Sequence, residues 1–283
     1  MTRDALCNAH GWAADRVEIV PVVTAGDRIQ DRPLAEIGGK ALWTKALDRV
    51  LLTGEIDFAV HSLKDVETLR PAEITIAAML ARADVRDRLI GAESIAALKP
   101  GARIGTSSPR RAAQLLRLRP DLIIAPIRGN VATRLAKLAA GEADATLLAA
   151  AGLDRLGQSG VGTAVSVDEL LPAASQGAIG IECRTDDAPM RGFLDAIDCK
   201  ATRAAVMAER DLLAALGADC HSPVGAFATM RGGELVLTAE LLSEDGALHV
   251  REEIVIDGPE AAVRLATRLL DAAPPELRAL FGK

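Results

Sequence analysis

The sequence predicts an α/β protein closed by an α+β segment, and three observations carry that prediction. Between residues 57 and 200, short apolar runs alternate with stretches of helical period, the pattern of parallel strands joined by crossover helices. From residue 217 onward the texture changes to three strand-like runs broken by glycine turns and then a helix, an antiparallel meander with a helical cover. Hydrophobic residues make up 49% of the chain but aromatics only 2%, with no Tyr, so the cores are built from aliphatic side chains.

Taken in order, residues 4–10 read as the tail of a helix stopped by Gly11. Residues 17–23 are an apolar strand. Residues 24–40 hold Gly26, Pro33, Gly38 and Gly39 and form an irregular segment; a loop of that length in a compact chain is usually functional. Gly38-Gly39-Lys40 is not a phosphate loop. That motif would need a glycine where Leu34 stands and a Ser or Thr where Ala41 stands. Helical period returns over 41–52 and stops near Gly54. Strands follow at 57–60 and 74–80. The charged run 81–88 reads as a crossing between domains.

The strand–helix rhythm then repeats. A strand ends at 103–105, and Ser108-Pro109 opens a helix reaching 118, with proline suited to the first turn. A strand at 122–126 precedes Asn130, which opens a helix to 140. Residues 145–149 form a strand and 151–156 a short helix. Leu171-Pro172 marks a second crossing. A strand at 178–182, a helix at 189–197 and an Ala-rich helix at 200–216 follow, the last stopped by Gly217. The meander strands are 224–229, 234–242 and 249–256, and residues 259–273 close the chain as a helix.

Composition narrows the function. A net charge of −6 argues against a general nucleic-acid binder. No run of eighteen apolar residues offers a membrane span, and the first residues contain no apolar signal core. The four cysteines (Cys7, Cys183, Cys199, Cys220) show neither a CxxC pair nor disulfide-like spacing, so a reduced, cytoplasmic compartment is expected. No cluster of metal-ligating residues appears, and no metal site is expected.

Two stretches carry candidate chemistry. Phe58-Ala59-Val60 is a buried strand that turns polar at once into His61, Ser62, Lys64 and Asp65. Open α/β sheets place ligand chemistry just past the carboxyl ends of their strands. A carboxylate with a cation beside it is a plausible acid/base group, although Asp65 as a simple turn cap is the plainer alternative. The second stretch runs from residue 103 to 137. It holds eight basic residues, Arg103, Arg110, Arg111, Arg117, Arg119, Arg128, Arg134 and Lys137, opposed only by Asp121. Arg110, Arg111, Arg128 and Arg134 lie at helix starts, where cations oppose the helix dipole. A bound anion explains that placement, since helix N-termini offer free N–H groups and Arg forks fit carboxylates. Pairing with acidic groups elsewhere in the chain is the alternative. Arg117 and Arg119 sit near a helix C-terminus, where cations are expected anyway.

Cys220 differs from the other three thiols. It lies in a loop, Gly217-Ala218-Asp219-Cys220-His221-Ser222-Pro223, between a long helix and the first meander strand. A loop thiol flanked by Asp and His is more exposed and more reactive than a core thiol. A Cys-His hydrolase or a metal site is disfavoured, because adjacent residues rarely face each other.

Together these stretches resemble the porphobilinogen deaminase (hydroxymethylbilane synthase) family. The matching motifs are His61-Ser62-Leu63-Lys64-Asp65-Val66, Gly105-Thr106-Ser107-Ser108-Pro109-Arg110-Arg111, Arg128-Gly129-Asn130-Val131-Ala132-Thr133-Arg134-Leu135 and Ala151-Gly152-Leu153-Asp154-Arg155-Leu156. Gln176-Gly177-Ala178-Ile179-Gly180-Ile181-Glu182-Cys183-Arg184 and the Cys220 loop complete the set, in the family's order and over nearly the whole chain.

The resemblance implies two type II periplasmic-binding-protein-like α/β domains joined by two crossings, plus a small C-terminal α+β domain. The domains would be 1–83 with 173–198, then 84–172, then 199–283. Cys220 would carry a dipyrromethane cofactor through a thioether. Four porphobilinogen units would be joined head to tail with loss of ammonia and released as hydroxymethylbilane, a step of tetrapyrrole and heme biosynthesis. Asp65 would be the catalytic carboxylate. Lys64, Ser62, Ser107, Arg110 and Arg111 would hold the cofactor, and Arg128, Arg134, Arg155 and Lys40 the substrate. Residues 24–40 would be a loop over the cleft. The enzyme would act as a cytoplasmic monomer, with porphobilinogen as its partner and neither nucleic acid nor membrane involved.

Three departures accompany the match. The family starts with a strand and a Gly-Thr-Arg-x-Ser loop, whereas this sequence starts at Met1-Thr2-Arg3-Asp4, so that strand, its Arg and its Ser are expected to have no counterpart. Ala173-Ala174-Ser175 stands where the family has a Gly before Gln-Gly, and Ala218-Asp219 replaces Gly-Gly before the cysteine. A non-catalytic ligand-binding module of the same architecture, or an inactive truncated homologue, are the alternative readings.

Overall fold

Burial alternates along Phe58–Ser62, where Ala59 and His61 are buried and Val60 is exposed. A strand with that period has one covered face and sits in a sheet edge-on to its neighbours. The computed structural model describes residues 1–22, 44–219 and 221–281. Its helices and strands begin with α1 (Thr2–His10), α2 (Lys45–Leu52), β1 (Phe58–Ser62), β2 (Ile74–Met79), β3 (Asp87–Ile90) and β4 (Arg103–Gly105). They continue with α3 (Pro109–Leu118), β5 (Ile123–Ala125), α4 (Val131–Ala139), β6 (Ala145–Ala149), α5 (Ala150–Arg155) and β7 (Thr163–Ala164). Then come β8 (Ile179–Arg184), α6 (Ala188–Asp195), α7 (Lys200–Leu216), β9 (Val224–Arg231), β10 (Glu234–Leu242), β11 (His249–Val255), α8 (Ala261–Ala272) and α9 (Pro275–Arg278).

The chain forms two compact units. The first is Met1–Arg82 with Ala178–Ala204, and the second is Ala83–Gly177 with Ala205–Lys283.

In the first unit the sheet order is β1-β8-β2, and β8 runs antiparallel to both neighbours. The parallel pairing that strand–helix alternation suggests is therefore not found in this sheet. The strand that separates β1 from β2 is the one that returns after the second crossing. Its core gathers Leu6, Ala78, Leu80, Ile181, Cys183 and Leu194, with Leu51, Ala59 and Ile74 in a second cluster. The strand expected at 17–23 is absent over the described residues 17–22. Ile19 and Val20 stay 65% and 50% exposed, and the run finds no sheet partner among the described residues.

The second unit contains a five-stranded sheet of order β5-β4-β6-β3-β7. Here β4 pairs parallel with β5 and β6, as the strand–helix alternation predicts. Strand β3 runs antiparallel to β6 and β7. It begins inside the charged run 81–88 read as a crossing, because Asp87 is buried with Leu89 on one side of the strand although its side chain is charged. Leu89, Ile104, Leu115, Leu147 and Leu170 form the aliphatic core of this sheet. The meander β11-β10-β9 is antiparallel throughout and has a core of its own, built on Leu212, Leu237, Leu241, Leu265 and Leu269.

Candidate active site

In the first unit the backbone itself delivers Asp65. The β1–β8 ladder places Ala59 opposite Glu182, His61 opposite Gly180 and Ser62 opposite Ile179. Leu63 extends it by donating its N–H to Ala178 O at 3.1 Å. Leu63–Asp65 then forms a single 3₁₀ turn, closed by Val66 N–H on Leu63 O at 3.2 Å. Leu63 is fully buried, and a Cβ at position 180 would lie 2.4 Å from its side chain, so glycine there lets the turn fold down. With Leu63 as the anchor, Asp65 is thrown out to the surface, while Ser62 and Lys64 are half-buried beside it.

Beneath this turn lies a buried ionic cluster. Glu182 is fully buried, its Oε2 3.1 Å from His61 Nε2, too far off line for a well-formed hydrogen bond. Arg70 donates to the same carboxylate twice, Nε to Oε1 at 2.8 Å and Nη2 to Oε2 at 3.0 Å. Burial alone would push the Glu182 carboxyl up, but His61 and Arg70 outweigh it and hold it below the usual carboxylate range.

In the second unit the strand–helix turns deliver the expected donors. Ser108 caps α3, accepting from Arg111 N–H, and Asn130 caps α4, accepting from Thr133 N–H at 2.9 Å. Ser107 is exposed at the first of these turns, and its Oγ donates to Ile127 O at 3.0 Å. That bond brings Ser107 beside Arg128, which is half-buried. Arg134 donates its Nε to Gly129 O at 2.8 Å, so Ser107, Arg128 and Arg134 share one corner of this unit.

Arg110 and Arg111 do not join that corner. Both are buried, and both pair with the buried Asp87, Arg110 Nη2 at 2.8 Å from Oδ2 and Arg111 Nη2 at 2.6 Å from Oδ1. Arg110 also reaches Gln114 and Leu171 O, and Arg111 reaches Leu147 O. Asp87 further accepts from Gln176 Nε2 at 2.9 Å. A carboxylate buried on β3 demands charged partners, and the first turn of α3 supplies them. Burial would raise the Asp87 carboxyl, yet Arg111 and Arg110 hold it far below its usual range. Arg117 and Arg119, set aside from the sequence, do structural work: Arg117 Nε lies 3.2 Å from Glu240, and Arg119 pairs with Asp121 at 2.7 Å.

Comparison with known proteins decides the family. Residues 1–192 match the model for the porphobilinogen deaminase dipyromethane cofactor binding domain, and residues 203–273 match that for the porphobilinogen deaminase C-terminal domain. The chain belongs to the porphobilinogen deaminase family. A porphobilinogen deaminase of Sphingopyxis alaskensis is 60% identical over 288 residues, covering 100% of this chain and 91% of that protein. One from Nitrobacter hamburgensis is 46% identical, covering 99% of this chain and 90% of that protein. Among solved structures, a periplasmic substrate-binding protein from Coxiella burnetii aligns with a TM-score of 0.42 at 15% identity, over 72% of this chain and 87% of that one. As a porphobilinogen deaminase family member the chain is an α/β enzyme of the two-domain, two-crossing class with a C-terminal α+β segment.

Each unit, taken by itself, presents side chains of the kind that bind carboxylates. Ser62 and Lys64 on the first unit, and Ser107, Arg128 and Arg134 on the second, are hydroxyls and cations suited to anionic groups. Arg155, a further expected ligand, donates Nη2 to Gly177 O at 2.9 Å. Cys220 and Lys40, and the expected loop at 24–40, lie outside the described residues. Next to Cys220, the Asp219 carboxylate accepts from His221 N–H at 2.9 Å, a bond that glycine at that position could not make, and Asp219 N–H donates to Ser222 Oγ at 3.1 Å. Asp87, Glu182, Arg70 and Gln176 were missed from the sequence. Only the alternation Asp87-x-Leu89 hinted that the charged run 81–88 ends in a strand.

Proposed function

We propose that the chain joins four porphobilinogen molecules head to tail, with loss of ammonia at each addition, and releases linear hydroxymethylbilane. The observation that supports this reading most is the presentation of Asp65, an exposed carboxylate on a tight turn past a buried strand, within the family's cofactor-binding domain. When bound to Cys220 through a thioether, dipyrromethane supplies the pyrrole carbon to which the first substrate unit is joined.

The chain's own residues do the rest. Loss of ammonia leaves positive charge on the methylene-pyrrole of the substrate, and the Asp65 carboxylate offsets it while accepting from the pyrrole N–H. Lys64 and Ser62 hold a cofactor carboxylate on the first unit. Ser107 does the same on the second, where Arg128, Arg134 and Arg155 take substrate acetate and propionate groups, with Lys40 as a further cation. Arg110 and Arg111 join Ser107 in holding the cofactor, each with a buried Nε that has no hydrogen-bond partner among the described residues. The separate core under β9, β10 and β11 supports a third domain from about residue 199. A cytoplasmic location fits the thiols, since Cys7, Cys183 and Cys199 are free, and a monomer is the proposed state. Among the described residues no helix is long and apolar enough to cross a membrane.

Asp65→Asn tests the reading. It is nearly isosteric but carries no charge, and loss of one fixed electrostatic stabiliser costs ~10²–10³ in rate. Turnover of porphobilinogen is expected to fall by at least that, with the far-UV spectrum unchanged. Turnover within a few-fold of the parent would make Asp65 only a turn residue.

A further inference from the structure

One buried carboxylate holds both ends of the segment that presents Asp65. His61 precedes the turn and Arg70 follows it, and both contact Glu182, at 3.1 Å and through the bidentate pair at 2.8 and 3.0 Å. The Arg70 side chain is 8% exposed and also reaches Asp48 Oδ1 at 2.5 Å and Glu67 Oε2 at 2.7 Å. So the fork is fixed on three sides, by α2, by the loop and by β8.

Stability does not explain this arrangement. Buried ion pairs are often no better than apolar residues of the same volume, because desolvation offsets the attraction. A leucine on β8 would cover the same sheet face without any of it. What a bidentate fork adds is direction, since two parallel hydrogen bonds fix the orientation of both planes. Direction matters for a group that works by electrostatics: displacement of a reacting geometry by about 1 Å costs ~10²-fold in rate.

We propose that Glu182 is a positioning residue for Asp65, fixing where that carboxylate stands by holding Arg70 after the turn through the bidentate fork, with His61 before the turn in contact with the same carboxylate. The proposal rests on the reading of Asp65 as the charge-stabilising group. Glu182 itself is covered by the sheet and acts only through the loop.

The test is a double-mutant cycle on protein whose intact mass shows the cofactor in place. Glu182→Gln is expected to lower kcat for porphobilinogen by ~10–10²-fold, with KM within about threefold. In an Asp65→Asn background the same substitution is expected to cost less than about threefold, because nothing is left to position. A full, additive loss in that background overturns the proposal and leaves the reading of Asp65 intact. Near-parental turnover of Asp65→Asn alone overturns both. If Glu182→Gln does not fold, Arg70→Gln takes its place in the cycle with the same expectation. Arg70→Lys, which keeps the charge without the fork, is then expected to fall between the parent and Arg70→Gln in kcat. Equal kcat for Arg70→Lys and the parent would mean that the fork's direction has no role.

Discussion

Asp87→Asn probes the buried cluster of the second unit. The side chain is fully buried, and its two oxygens receive Arg110 at 2.8 Å, Arg111 at 2.6 Å and Gln176 at 2.9 Å. The amide keeps the shape and loses the charge. Two guanidiniums then remain buried side by side without the carboxylate they share, and only Glu240 is left to act on Arg110. Breaking a buried pair from one side costs about 3–5 kcal/mol, a large part of the ~5–15 kcal/mol a domain has. With a urea slope of about 2–3 kcal/mol/M, the midpoint for the second unit falls by roughly 1–2 M. The assay is urea unfolding, with hydrogen exchange on β3 and α3 to localise the loss. Removing all three charges in Asp87→Asn/Arg110→Met/Arg111→Met should recover most of the stability, since apolar replacement of a whole buried cluster is close to neutral. A single variant within about 1 kcal/mol of the parent would refute the argument. So would a triple variant no more stable than the single.

Two further outcomes follow from the same structure. Ser175 adopts φ +64, a conformation that favours glycine, and its Oγ is buried with no partner among the described residues. Its N–H is held by Glu209 Oε2 at 2.7 Å, which keeps the strained turn in place. Ser175→Gly should stabilise by up to about 1.5 kcal/mol, the relief of left-handed strain less the extra freedom of glycine when unfolded; a lower melting temperature would contradict this. Acid stability is the other. Asp87, Glu182 and Asp198 all have carboxyls held below their usual range in the folded chain. Their contribution is complete above the unfolded values of about 4 and is lost as pH falls below them toward the folded values. Stability should therefore be flat above about pH 5 and decline steeply below about pH 4, less steeply in Glu182→Gln; an unchanged slope in that variant would count against the cluster.

How much was legible in advance differs by kind of residue. The exit from β1 could be read directly, because an apolar run followed by Ser62, Lys64 and Asp65 is a local pattern and the turn is a local structure. The helix caps at Ser108 and Asn130 were legible for the same reason. The arginines were not separable by position in sequence. Arg110 and Arg134 both sit in the first turns of helices, yet one is buried on Asp87 and the other lies beside Arg128's loop. What separates them is β3, a strand whose partner β6 lies some sixty residues away. The antiparallel insertion of β8 between β1 and β2 is equally non-local, and no period within residues 178–184 announces it. Apolar residues 19 and 20 illustrate the converse, a local strand signal that finds no partner among the described residues.

The central claim is that Cys220 carries the primer on which this chain builds its product. Intact mass of the purified protein tests it most directly. Protein that turns over porphobilinogen should be heavier than its sequence by two linked pyrrole units. Cys220→Ser should remove that increment, while Cys7→Ser, Cys183→Ser and Cys199→Ser should each keep it. An unmodified mass in protein that still makes hydroxymethylbilane would contradict the assignment.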